Sequence, residues 1–166
     1  MNMLFEKHIV SSPVHLRRDM LRELFTYWNS LRNGRFAPSR NDICPSHIPR
    51  LLRHILLVDV AEGQHKLRVR LMGTRLVNCF DRDLTGQILQ NTGSDPLGSV
   101  LAGYCRSALQ ERHPVAFGPM QCHMQDNDVL IHETLALPLS ADMMRINMIL
   151  MGISSQPRSA IGPLAG

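Results

Sequence analysis

Apolar residues recur at helical spacing between Leu16 and Leu31. Leu21, Leu24, Phe25, Trp28 and Leu31 share one stripe, while Arg17, Arg18, Arg22 and Glu23 lie largely off it. The spacing predicts an amphipathic helix, and Asn33-Gly34 supplies its stop, because Gly takes the left-handed backbone that closes a helix. Residues 1–15 show no strong period and read as a flexible lead-in. Arg35 to Pro49 reads as an extended connector punctuated by Pro38, Pro45 and Pro49. Within it, Ser46 predicts the N-cap of a short helix running to about Arg53.

Strand periodicity follows. Ile55 to Val60 is rich in branched residues and predicts a buried strand. Glu62-Gly63-Gln64 predicts a hairpin turn, and Leu67, Val69 and Leu71 alternate with Arg68 and Arg70. Gly73 ends that strand, and Thr74 to Phe80 predicts a short helix. Asp95-Pro96 places an N-cap and a first-turn proline at the head of a longer helix, with a stripe of Leu97, Val100, Leu101, Tyr104, Cys105, Ala108 and Leu109. His113-Pro114 ends it. Three strands follow, Val115 to His123, Val129 to Leu139 and Arg145 to Ile153, with turns at Asp126-Asn127-Asp128 and Ser140-Ala141-Asp142. From Ser154 the chain is small, polar and rich in Pro and Gly, which predicts a disordered tail. This order predicts an α+β fold: a five-stranded antiparallel sheet with helices packed on it and an N-terminal amphipathic helix. The expected organisation is a lead-in (1–15), a helix and connector (16–53), a sheet domain (54–153) and a tail (154–166).

Composition narrows the class. At 166 residues with 44% hydrophobic side chains, the chain can bury a core as one domain with extensions. No apolar run approaches the roughly 20 residues of a membrane helix, and the N-terminus carries no secretory pattern. Cys44, Cys79, Cys105 and Cys122 are scattered without a C-x-x-C pair. A cytoplasmic protein with reduced thiols is expected. The net charge of +4 is almost wholly arginine, since Lys7 and Lys66 are the lysines. Arginine suits anionic partners, but the charge is dispersed and reads as a solvated surface. With aromatics at 5% there is no stacking platform either, so no nucleic-acid partner is expected.

Candidate chemistry is sparse. Arg70, if turned inward, would grip a carboxylate or phosphate through its guanidinium fork. The alternation instead favours Arg68 and Arg70 both facing solvent. Glu133 falls on the apolar face formed by Val129, Ile131, Leu135, Leu137 and Leu139, where a carboxylate needs a partner. A ligand contact, an ion pair with Arg75 or Arg106, or an outward turn would each satisfy it. Cys122, His123 and His132 would be neighbours across a hairpin, but a zinc site needs about four ligands and no others stand at suitable spacing. One axial ligand suffices for haem, and His132, His113 or Cys79 would serve. The methionines and Tyr104 suit either a soft pocket or an ordinary core. No catalytic constellation stands out, so a non-enzymatic role is expected.

A series of short runs adds a resemblance. They are Tyr27-Trp28, Leu31-Arg32-Asn33-Gly34-Arg35, Pro38-Ser39-Arg40, Asp42-Ile43, Ile48-Pro49-Arg50-Leu51-Leu52 and Leu57-Val58-Asp59-Val60. The strongest is Arg68-Val69-Arg70-Leu71-Met72-Gly73-Thr74 followed by Arg82-Asp83-Leu84-Thr85-Gly86. His113-Pro114-Val115 and Glu133-x-Leu135-x-Leu137-Pro138-Leu139 come late. In order and spacing the chain resembles PAS-domain proteins, most of all a short stand-alone subgroup common in alphaproteobacteria. At Asp81 it departs from the family's usual Gly. The resemblance implies a sensory or regulatory module that holds a small ligand between sheet and helices, or mediates protein contacts. Cys79 sits in the short helix, but the Asn-Cys-Arg-Phe-Leu run of flavin-adduct relatives is replaced by Asn78-Cys79-Phe80-Asp81, so no flavin adduct is expected. The cofactor, if one is held, is unspecified.

The expected cavity lies between the sheet and the helices at 74–80 and 95–112, lined by Arg70, Thr74, Cys79, Tyr104 and Glu133. The stripe Leu21, Leu24, Phe25 and Trp28 must be buried somewhere, and a homodimer through this helix is the expected answer. No output domain is evident, so signalling would proceed by docking to an unidentified signalling protein. The alternative is a small α+β enzyme or ligand carrier using the same cavity, since fold alone does not decide function.

Overall fold

A computed structural model describes residues 6–61, 63, 66–123 and 129–157, without the side chains of Cys122, His123 and Val129. The turn at 124–128, most of the turn at 62–65 and the ends of the lead-in and tail lie outside the described residues. The backbone register sets His132 opposite Met120 and Cys122 opposite Leu130, two residues off the expected placement of Cys122 across from His132.

One seven-stranded sheet dominates, in the order β1-β5-β6-β7-β2-β3-β4. Its strands are β1 (Lys7–Ile9), β2 (Ile55–Val60), β3 (Leu67–Met72), β4 (Ile88–Leu89), β5 (Val115–His123), β6 (Val129–Leu139) and β7 (Met148–Pro157). Every pairing is antiparallel. The five expected strands form the centre. The sheet has two strands more than the sequence predicts, because β1 and β4 span three and two residues, too few to show a period. β1 pairs with β5 inside what reads as a lead-in. β7 starts at Met148 rather than Arg145, because Asp142 Oδ1 accepts the N–H groups of Met144 and Arg145 and holds a turn there. It also runs to Pro157, past the expected start of the tail: Ser155 pairs with His132 and Gln156 with Ile131, which satisfies the backbone of a polar segment.

Three helices accompany the sheet: α1 (Asp19–Arg32), α2 (Thr74–Phe80) and α3 (Pro96–Glu111). α1 ends with Asn33 itself left-handed at φ 48° and Gly34 beyond it at φ 82°. The helix predicted from Ser46 is absent. Two 3-10 turns, Pro45–His47 and Leu52–His54, replace it. Pro49 has no N–H to give and disfavours helical backbone at Ile48.

Each face of the sheet has its own core. Leu56, Val58, Val69, Met151 and Ile153 pack with Leu76, Leu101, Tyr104 and Cys105 of α2 and α3. On the other face, Leu57, Leu135, Leu137, Leu139 and Leu150 pack with Leu21, Leu24, Phe25 and Trp28 of α1. Those four α1 side chains are at most 2% exposed, so the stripe assigned to a dimer interface is spent inside its own protomer. Gly152 permits the close fit, since a Cβ there would stand 2.5 Å from Leu24 Cδ2 and 3.0 Å from Leu21 Cδ2.

The family-like runs have physical reasons. Arg35 donates to Leu31 O (2.8 Å), Arg32 O (2.9 Å) and Asp42 Oδ2 (2.8 Å), clamping the end of α1 to the connector. Arg82 grips both carboxylate oxygens of Asp95 at 2.9 and 3.2 Å, while Asp95 Oδ1 accepts Gly98 N–H at the head of α3. Asp81 is left-handed at φ 49°, which is why a Gly suits that position. Gly73 joins β3 to α2 where a Cβ would stand 2.5 Å from the Arg53 and Leu52 backbone. Gly73→Ala is therefore expected to lose about 1–3 kcal/mol of unfolding free energy, read from a urea melt. An unshifted midpoint would show that the turn can move aside.

Candidate functional site

A pocket of about 260 Å³ lies between the sheet and α2/α3. α3 supplies Pro96, Leu97, Val100, Leu101 and Tyr104, α2 supplies Phe80, and the sheet supplies Met120, His132, Thr134 and Ile153. Strand alternation sets the floor. On β6, His132, Thr134 and Ala136 face α3, whereas Glu133, Leu135 and Leu137 face α1. β5 shifts register between Phe117 and Met120. Gly118 is at φ +101° there and Pro119 has no N–H, and Met120 then pairs with His132 on the pocket side.

The walls are apolar, with one conspicuous polar group. His132 is 5% exposed, and neither ring nitrogen has a partner among the described residues. Its ring stacks on Phe80 with centroids 5.6 Å apart and planes at 22°. Burial pushes its pKa down to about 4, so the imidazole is neutral at pH 7 and carries one donor and one acceptor. Tyr104 stacks on Phe117 at 4.1 Å and directs its hydroxyl to Met120 Sδ at 2.9 Å. No cluster of three or more His, Cys, Asp or Glu fit to hold a metal occurs among the described residues.

Of the five residues expected to line the cavity, the pocket contains Tyr104. Cys79 is half-buried beside it, with Sγ 2.9 Å from Ser155 Oγ, but does not line it. Thr74 is exposed at the start of α2 and lines a different, open groove with Leu71 and Gly73. Arg70 points to solvent from the opposite face and binds Asp59 at 2.9 Å. Glu133 is buried on the α1 face, where Oε1 accepts the Arg17 backbone N–H at 3.1 Å; neither Arg75 nor Arg106 pairs with it. The residue that the sequence underrates is His132. Its signal is period two on β6: an apolar face holding Glu133 leaves His132, Thr134 and Ala136 together on the other.

A family model described as PAS domain matches residues 16–154. The chain belongs to the PAS-domain family. Such domains are generally sensory or regulatory modules rather than enzymes. Among solved structures it is similar to "Structure of an RNA-binding Light-Oxygen-Voltage Receptor", at 17% identity and a TM-score of 0.43, over 70% of this chain and 35% of that one. The match thus spans about a third of the receptor chain. No curated protein matches the chain. No helix among the described residues is long and apolar enough to cross a membrane.

Proposed function

We propose that the protein is a non-enzymatic PAS sensor whose pocket binds a small, mostly apolar molecule carrying one hydroxyl-like group. The observation that carries this is His132: two unpartnered ring nitrogens facing an apolar enclosure. A buried polar group without a partner costs about 1–3 kcal/mol, and a ligand that donates to one nitrogen or accepts from the other recovers it. The volume lies just below the roughly 300–1,000 Å³ of drug-sized sites, so the guest is small. Filling the pocket bears on Phe80 of α2 and on Leu97 and Val100 of α3, and a cytoplasmic signalling protein reads their positions by contact. A homodimer through α1 loses its motive, because that stripe is already covered.

Phenol is a suitable probe. It is expected to shift the His132 ring resonances in NMR titration, and His132→Phe, which keeps the stack on Phe80, should weaken it about tenfold. Val100→Trp, which fills the pocket, should abolish it. Phenol binding unchanged in both variants would overturn the assignment. Native mass spectrometry of the purified protein then identifies the natural guest.

A further inference from the structure

A second cleft, of about 540 Å³, opens on the far side of α2 and is independent of the pocket at His132. It is walled by the entry to α1 (Arg17, Arg18), the 3-10 turn ending at His54 (Arg53), the first turn of α2 (Arg75) and the end of β7 (Ser154). Four arginines from three separate segments thus line one concavity. Outside the cleft five arginines pair with carboxylates, Arg22 with Asp19, Arg35 with Asp42, Arg70 with Asp59, Arg82 with Asp95 and Arg145 with Asp142, and three others donate to amide or carbonyl oxygens, Arg32 to Asn29, Arg40 to Ile43 and Arg112 to Met144. In the cleft, Arg18 donates to the neutral amide of Gln156 at 2.7 Å. Arg17, Arg53 and Arg75 have no carboxylate within 4.0 Å of their guanidiniums among the described residues.

Two carboxylates lie nearby. Asp19 also lines the cleft and is engaged by Arg22 at 3.0 Å. Glu133 lies on the sheet face beneath α1, 2% exposed and held by the Arg17 backbone N–H. His54 Nδ1 is buried without a partner, and burial followed by the charges of Arg53 and Arg75 holds the imidazole below its ordinary pKa. Four arginines against one lining carboxylate leave the cleft's residues net positive.

We propose that this cleft binds a soluble organic phosphate. Guanidinium forks fit phosphate oxygens bidentately. Donors arriving from three segments are better met by a tetrahedral, multiply charged group than by a planar carboxylate, and the volume leaves room for an organic body beyond it.

Inorganic pyrophosphate is the probe, titrated calorimetrically into the full chain in low-salt buffer. Saturable binding is expected, weakened at least tenfold in Arg53→Gln/Arg75→Gln and unchanged in Arg145→Gln, whose guanidinium is exposed and remote from the cleft. Circular dichroism melts confirm that the variants fold, as both cleft substitutions are at exposed positions. No saturable binding, equal weakening by Arg145→Gln, or citrate binding as tightly as pyrophosphate would overturn the proposal. Loss of phenol binding at His132 does not bear on this result.

Discussion

Trp28→Ala is expected to remove about 3–5 kcal/mol of unfolding free energy, the range for deleting a buried large aromatic. Against a typical total of about 5–15 kcal/mol, that leaves a marginal protein. Trp28 is 1% exposed, packs beside Phe25 at 6.2 Å between centroids, and donates its indole N–H to Pro138 O at 2.9 Å. Arg32 covers its ring at 5.3 Å. The loss therefore combines a cavity with a stranded carbonyl. Trp28→Phe separates the two, since it keeps most of the volume and should cost about 1–3 kcal/mol through the carbonyl. Denaturant melts followed by circular dichroism give both values, the single tryptophan being absent from each variant. A dimer role predicts the opposite pattern: altered sedimentation with an unchanged melting midpoint.

Acid should destabilise the protein through His132. Its folded-state pKa of about 4 lies below the ordinary 6.5. Above pH 6.5 the ring is neutral in both folded and unfolded chains and stability is full. As pH falls, the unfolded chain takes the proton first, and stability drains away between 6.5 and about 4. At about 1.4 kcal/mol per pH unit, the loss across that window is about 3 kcal/mol. His54, also lowered by burial, adds to the same trend, whereas the depressed Asp42, Asp95 and Asp142 act below the ordinary carboxyl value of 3.8. The informative quantity is therefore wild type minus His132→Phe. Urea melts at pH 7, 6, 5 and 4.5 should show the variant losing less than wild type; parallel decline would clear His132 of the effect.

Local chemistry made much of the architecture legible. Asp95-Pro96 marks the head of α3 because an N-cap carboxylate and a fixed φ have few other uses together, and Thr74–Phe80 is bounded as the sequence pattern predicts. The site was harder to read because both sides of the sheet are apolar. The alternation on β6 separates Glu133 from His132, but it does not say which set meets α1 and which meets α3. Leu71 follows the strand period in sequence, yet a register shift between Leu57 and Val58 leaves it 47% exposed. Arg17, Arg53 and Arg75 are distant in sequence and individually ordinary; only the chain's return path gathers them.

The doubly covered sheet has a consequence for cutting the molecule. A boundary at residue 54 looks natural, since the strands begin at Ile55, but it passes through the middle of a hydrophobic interior. Excising residues 54–157 would strip the lid from Leu57, Leu135, Leu137, Leu139 and Leu150. That bare leucine wall would meet water as one continuous oily plane, the kind of surface that drives clumping. The amphipathic segment is thus half of the folding unit, not an appendage to it.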